Sequence, residues 1–432
     1  MNEMEPLFAT AIALFAGLMM TRVFKWCRLN FPDVTAFLIA GLLVGPYCLG
    51  RLGIPGIGFT SFEAVDAMAL ITDAALGFIA FSIGSEFKLE KLRRVGGAVV
   101  RVLIGEVLSA CVLVDLALLG LHMILGEEVL PLSACITLGA IAAATAPAAT
   151  LMVVRQYKAE GPIVDILLPV VALDDAAGLI IFAVSFGIAQ ALEGGTLSVI
   201  TVAVNPLLEI VGSLALGALM GFVMTKLERL FYSNRNRMAM TISLVFFTIA
   251  VASLEIPLGP VTLSFSNLLV LMMMGMVFCN LSPFSQDIFK RADSWTMPLF
   301  ATFFVLSGAD LDLSVFSSVS VVIAGLVYVV VRVIGKYAGA SVGARLAHSS
   351  PDVCRYLGIT LFPQAGVALG MSVTASSLGT GEGALIRNIV LFGVLIYELV
   401  GPTLTRWALT KAGEIRPTPE DKKNLARFNP AG

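Results

Sequence analysis

The sequence predicts an all-α polytopic membrane protein of about thirteen transmembrane helices, built as inverted-topology repeats with two broken helices crossing at the midplane. Three observations carry that expectation. The 432 residues are 58% hydrophobic and only 13% charged, with mean hydropathy +0.92, whereas soluble domains carry about 25% charged residues. Apolar stretches long enough to span a bilayer, on the order of 20 residues, recur along the whole chain. A short acidic motif recurs seven stretches apart.

The apolar stretches fall at about 6–24, 33–50, 65–86, 96–121, 130–154, 162–190 and 197–225, then at about 238–254, 262–281, 294–312, 315–345, 353–377 and 385–410. Lysine and arginine placement orients them through the positive-inside rule. With the N-terminus outside, 24 of the 28 basic residues fall at inside ends or in the tail. The outward loops instead carry Glu127, Glu128, Glu193 and Glu255. These features imply a multi-pass protein of a prokaryotic plasma membrane with its C-terminus cytoplasmic. Residues 1–411 read as one membrane domain, and residues 412–432 as a polar tail too short for a nucleotide-binding regulatory domain. The acidic start MNEMEPLF lacks the basic region of a signal peptide, so the first segment is expected to be retained.

Composition excludes several function classes. The net charge of -2 and the lack of a basic block argue against nucleic-acid partners. The two histidines, His122 and His348, lie near predicted helix ends, which makes a histidine metal site unexpected. The six cysteines are scattered without a pairing pattern and read as small packing residues. No cofactor is called for, and nothing suggests an enzyme.

Segment three ends in Gly84-Ser85-Glu86-Phe87-Lys88-Leu89 and segment ten in Gly308-Ala309-Asp310-Leu311-Asp312-Leu313. Seven crossings separate them, so the copies have opposite orientations. That is an inverted repeat of about 6–190 on about 238–410, joined by a linking helix at about 197–225. In such folds the substrate sits where helices are interrupted. Segment five contains Ala144-Thr145-Ala146-Pro147, and segment twelve, seven crossings later, contains Phe362-Pro363-Gln364-Ala365-Gly366. Proline removes a backbone donor and clashes with the preceding turn, leaving carbonyls free to face an ion. Ordinary proline kinks are the bland alternative, which membrane helices tolerate.

Asp174 and Asp175 stand mid-stretch in LLPVVALDDAAGLIIF. A carboxylate near the bilayer centre costs roughly 2.5–3.5 kcal/mol, and two neighbours in low dielectric also repel. The pair points to a site that exchanges a bare cation for protons. Hard cations such as Na⁺ and Li⁺ favour oxygen ligands, which a carboxylate, the Thr145 hydroxyl and freed carbonyls would supply. Arg332 and Lys336 on segment eleven share a helix face at i, i+4 spacing. Lysine gives up its proton readily on burial, so Lys336 is expected to pair with an aspartate in the empty site and release its proton when a cation binds. Arg332 stays charged and reads as a fixed counter-charge for a buried acid, with Glu106 on segment four and Glu398 on segment thirteen as candidates. A structural role is the favoured reading for Arg332 and Glu106. Gln364 is a further polar group at the crossing.

Taken together, the GSEFKL end, the ATAPAAT break, LDDAAG, RVIGKYAGA, FPQAG and IYELVGP give a chain that resembles the monovalent cation:proton antiporters, in their electrogenic, sodium-selective branch. The resemblance implies that Asp175 is the chief cation ligand, that Asp174 pairs with Lys336, and that Thr145 supports the ion. It also implies a homodimer whose six-helix core moves as an elevator. Electroneutral relatives usually carry Asn-Asp at the pair and an acid where this chain has Ala146. A sodium-coupled symporter of an organic anion and a K⁺/H⁺ antiporter are the alternatives. The crossing offers few groups beyond Thr145, Thr150 and Gln364 to hold an organic substrate, and a channel fits a carboxylate–lysine site poorly.

Overall fold

The structure is a computed structural model that describes residues 5–27, 31–54, 57–85, 87–192, 204–254, 256–258, 261–311, 313–375, 378 and 382–415. Glu86 and Asp312 of the repeated motif, and the loop acids Glu193 and Glu255, lie outside them. The described residues are helical apart from connections and one antiparallel hairpin, β1 (Ile256–Leu258) and β2 (Val261–Leu263), in which Pro257 faces Thr262. The all-α expectation holds for the described residues apart from this short hairpin.

The first half forms α1 (Glu5–Trp26), α2 (Asp33–Val44), α3 (Phe62–Asp66), α4 (Ala69–Gly84), α5 (Leu89–Leu125), α6 (Leu132–Ile141), α7 (Pro147–Gln156) and α8 (Pro162–Leu192). Then follow α9 (Asn205–Leu227), α10 (Asn234–Ala252), α11 (Asn267–Leu281), α12 (Ser285–Ala309), α13 (Val319–Leu346), α14 (Pro351–Tyr356), α15 (Gly366–Ala375) and α16 (Glu382–Lys411). Each expected apolar stretch therefore holds a helix or an interrupted pair. Length and composition alone qualify eight helices as membrane spans, or nine when the pair Pro351–Leu361 and Gly366–Ala375, bent by 49°, is taken as one. Thirteen crossings are not established on that basis. The shortfall has a physical source: α4, α6 and α11 are apolar but only 16, 10 and 15 residues long, and the first turn of α10 is the polar run Asn234-Arg235-Asn236-Arg237.

The helices pack in two groups. In one, α11 lies on α9 and α4, and α12 lies on α2, α4 and α1. In the other, α13 lies on α5 and α16, while α6 and α8 pack on each other and on α5. The glycines that align in the repeated motif do the same work at two seams. Gly84 of α4 abuts the Met272 carbonyl of α11, and Gly308 of α12 abuts the Leu38 carbonyl of α2, and a β-carbon at either place would collide with backbone.

α8 carries the aspartate pair, with Pro169 inside the helix one turn before it. Its N-terminus is capped from far along the chain. The Glu414 carboxylate accepts from the amides of Ile163 (2.6 Å) and Val164 (3.0 Å), two of the donors that a helix start leaves unpaired. The segment after α16 thus ties back to the helix that bears the candidate site.

Candidate functional site

Two interruptions meet at the centre of the second group. α6 ends at Ile141, residues 142–146 leave the helix, and Pro147 opens α7. Pro147 forces Ala146 out of helical geometry, and its backbone is extended (φ -79°, ψ 112°). In the partner segment, a 3₁₀ turn over Leu357–Leu361 gives way to Phe362–Ala365 before α15 begins. The two breaks are bonded to each other. Ala146 donates its amide to the Pro363 carbonyl (2.9 Å), and Gln364 Nε2 donates to the Ile141 carbonyl (2.9 Å). Tyr328 of α13 holds the other end of Gln364 by donating to its Oε1 (3.1 Å). Pro147 and Pro363 therefore sit in a pair of crossed breaks, as the sequence suggested.

The freed carbonyls are not left open. Arg332 donates to three of them, Ala142 (2.8 Å), Phe362 (2.7 Å) and Ala144 (2.6 Å), and its guanidinium lies 4.5 Å from the Tyr397 ring centroid. Lys336 donates to the fourth, Ala143. Cations belong at these positions because helix C-termini carry partial negative charge. Arg332 thus braces the breaks, a structural role, and among the described residues no ion pair joins it to the candidate acids Glu106 and Glu398. Its planar fork spreads its donors over carbonyls on both sides of the crossing, a reach that the compact ammonium of a lysine does not match.

One turn further along α13, the buried Lys336 gathers the polar side chains. Its Nζ donates to Thr145 Oγ1 (2.9 Å) and to Asp174 Oδ2 (3.0 Å). It also forms an ion pair with Glu106 of α5. Glu106 and Asp174 thus face the same ammonium from two helices. Asp175 is 1% exposed, and neither of its carboxylate oxygens has a hydrogen-bond partner among the described residues. Asp174 Oδ1 is likewise unpartnered among them. A buried carboxylate without a donor is costly unless it takes a proton or a cation, so Asp175 is built to bind one or the other. Glu398 is buried on α16 with Oε2 unpartnered among the described residues. The residue beside it, Tyr397, is the one that meets Arg332.

Sequence reasoning brought together Asp174, Asp175, Thr145 and Lys336, and the structure does the same. It offered Glu106 as a candidate partner of Arg332, whereas the structure sets it against Lys336, and it did not single out Tyr328, Tyr397 or the seam between α5 and α13. Gly335, Gly339 and Gly343 recur every fourth residue on α13, the small-residue spacing that lets membrane helices touch. Gly335 faces Ala110, Gly339 faces Gly105, and Ser109 donates to the Gly335 carbonyl (2.6 Å). That spacing was the available signal for α5 lying against α13 and for Glu106 reaching Lys336.

Comparison with known proteins bears on this geometry. The family described as sodium/hydrogen exchanger, transmembrane, matches residues 10–411. The high-affinity Na⁺/H⁺ antiporter NhaS3 of Synechocystis is 23% identical over 414 residues, covering 88% of this chain and 85% of its own length. Two structures of the sodium proton antiporter MjNhaP1 of Methanocaldococcus jannaschii share the fold. The one determined at pH 8 has TM-score 0.67 at 18% identity, covering 96% of this chain and 99% of its own. The electron-microscopy structure has TM-score 0.70 at 19% identity, covering 97% and 100%.

Proposed function

This chain belongs to the sodium/hydrogen exchanger family, and we propose that it exchanges Na⁺ or Li⁺ for protons electrogenically, with Asp175 as the chief cation ligand. The observation that carries the reading is that Lys336 holds both Asp174 and Thr145 while the two Asp175 oxygens stand buried and unpartnered among the described residues. The lysine ammonium occupies oxygens that a hard cation would use. An arriving Na⁺ therefore competes with protons for Asp175, and with the ammonium for Asp174 and Thr145. Carboxylate, hydroxyl and backbone oxygen are the donors such an ion favours.

Binding an unescorted cation in a dry site requires positive charge to leave. One proton leaves from Asp175, and a second leaves from the cluster around Lys336. Two protons against one Na⁺ move net charge in each cycle, so a membrane potential drives or opposes exchange. Arg332, which holds three carbonyls, and Gln364, which ties the two breaks, keep the donors in place.

The chain crosses a prokaryotic plasma membrane thirteen times, as two inverted repeats, with its N-terminus outside. The matched seams of α4 on α11 and α12 on α2, each closed by an aligned glycine, support the repeat. Alternating access then moves the group containing α5, α8 and α13 against the other as an elevator, in a homodimer. The test is Na⁺-driven proton flux in proteoliposomes, without organic solute, at several imposed potentials. Exchange whose reversal point shifts with potential is expected. Flux that needs an organic anion would favour a symporter, and a reversal point indifferent to potential would make the exchange electroneutral.

A further inference from the structure

α7 touches both helix groups. It packs on α8 and α16 in the second group and also meets α2 and α4 in the first. Two side chains of its last turn cross that seam. Gln156 Oε1 accepts the Asp33 amide at the start of α2 (2.9 Å), and Arg155 Nη2 donates to the Ser82 carbonyl in the last turn of α4 (3.5 Å). Both contacts fall on helix ends, where backbone groups lack partners within the helix. Pro32, the residue before α2, makes no side-chain cap, so Gln156 supplies an acceptor that the local sequence does not. A cation beside the Ser82 carbonyl offsets the partial negative charge of a helix C-terminus. Beside these contacts the groups stand apart. A cavity of about 810 Å³ lies between Asp33, Met297 and Phe300 on one side and Arg155, Gln156 and Val164 on the other.

Resting on the antiport reading and its moving core, we infer that Gln156 and Arg155 form a latch between the two groups, which each transport cycle must open. The latch finishes two helices of the first group with side chains of the second. Hydrogen bonds hold over a narrow range of distance and angle, so a slide of one group along the other breaks both contacts. It also leaves the ends of α2 and α4 without those partners. α7 begins at Pro147, directly after the break that holds Thr145, and runs without interruption to Gln156. One short helix therefore joins the candidate ion site to the latch. A shift of the broken segment is carried along α7 to the seam, and the closed latch resists it. Gln156 and Arg155 are positioning residues: they act through the placement of α7 and set the balance between the two access states.

The first test is the Gln156→Ala protein in proteoliposomes, with Na⁺ half-saturation measured separately from each face of the membrane. Losing a helix cap shifts a two-state balance by about fivefold. Half-saturation should therefore rise on one face and fall on the other, by up to that factor. Gln156→Glu keeps an acceptor and should behave as the wild type. A change of the same sign on both faces, or no change, would overturn the latch.

The second test closes the latch covalently. Asp33 enters the contact through its backbone amide, so Asp33→Cys is paired with Gln156→Cys in a protein whose six native cysteines are replaced. The two thiols are then bridged with a short reducible reagent. Exchange should stop on bridging and return on reduction. A bridged protein that exchanges at its unbridged rate would overturn the proposal. A wild type without Na⁺-dependent proton flux would instead defeat the antiport reading itself, so the two failures are distinguishable.

Discussion

Gly105 on α5 and Gly339 on α13 stand so close that a β-carbon built on Gly105 would lie 2.6 Å from the Gly339 carbonyl oxygen. The contact sets how deeply Glu106, the next residue, reaches toward Lys336. Gly105→Val should force the helices apart and lower stability by about 1–3 kcal/mol, the usual range for overpacking. Because the seam sits beside the site, exchange should fall more steeply than the melting temperature. A Gly105→Val protein with wild-type flux would show that the spacing of these helices does not set the site.

Asp175→Asn removes the negative oxygen that a cation cannot replace, at a carboxyl with no hydrogen-bond partner among the described residues to lose. The variant should fold with near-normal thermal stability and lose Na⁺-dependent proton flux. Flux near the wild-type rate in proteoliposomes would exclude Asp175 as the chief ligand.

Lys336 is the cation that Asp174 and Glu106 share. Removing one member of a buried pair costs about 3–5 kcal/mol, less whatever protonation of the stranded carboxyls recovers. Lys336→Ala should therefore lower the melting temperature more in the native background than in the Asp174→Ala background. Additive losses across that double-mutant cycle would mean that the two residues do not interact.

Arg332→Lys keeps the charge and gives up the fork. Hydrogen bonds to charged groups contribute about 1.5–3 kcal/mol each, and at least one of the three carbonyls now held should lose its donor. Thermal stability should drop by a few kcal/mol while the cation preference of any remaining exchange stays the same. A stable variant with altered Na⁺ against Li⁺ preference would mean that Arg332 shapes the ion's surroundings and does more than brace the breaks.

Much of this arrangement is legible in the residues themselves. A carboxylate pair in an apolar run has few physical explanations, because burying charge is expensive, and Asp174, Asp175 and Lys336 declared themselves by that cost. The breaks were equally open to reading, because a proline within an apolar stretch lacks a donor wherever it sits. The partner of each charge was not. The i, i+4 spacing of Arg332 and Lys336 puts both on one face of α13 but is silent about which helix covers it, so the sequence left Glu106 and Glu398 as open candidates and did not show Glu106 against Lys336. Helix length does not settle the span count either, since α4, α6 and α11 are apolar but shorter than a bilayer crossing.

The sequence by itself determined which groups must leave water and which backbone must stay unwound, because both follow from local chemistry. Tertiary structure decided how those groups are satisfied. α5 lies on α13 at glycine contact distance, so Lys336 meets two carboxyls. The breaks cross beside α13, so Arg332 spends its donors on Ala142, Ala144 and Phe362 and not on an acid. Those outcomes depend on which distant helices touch, and contact between segments hundreds of residues apart is set by the packing of the whole chain.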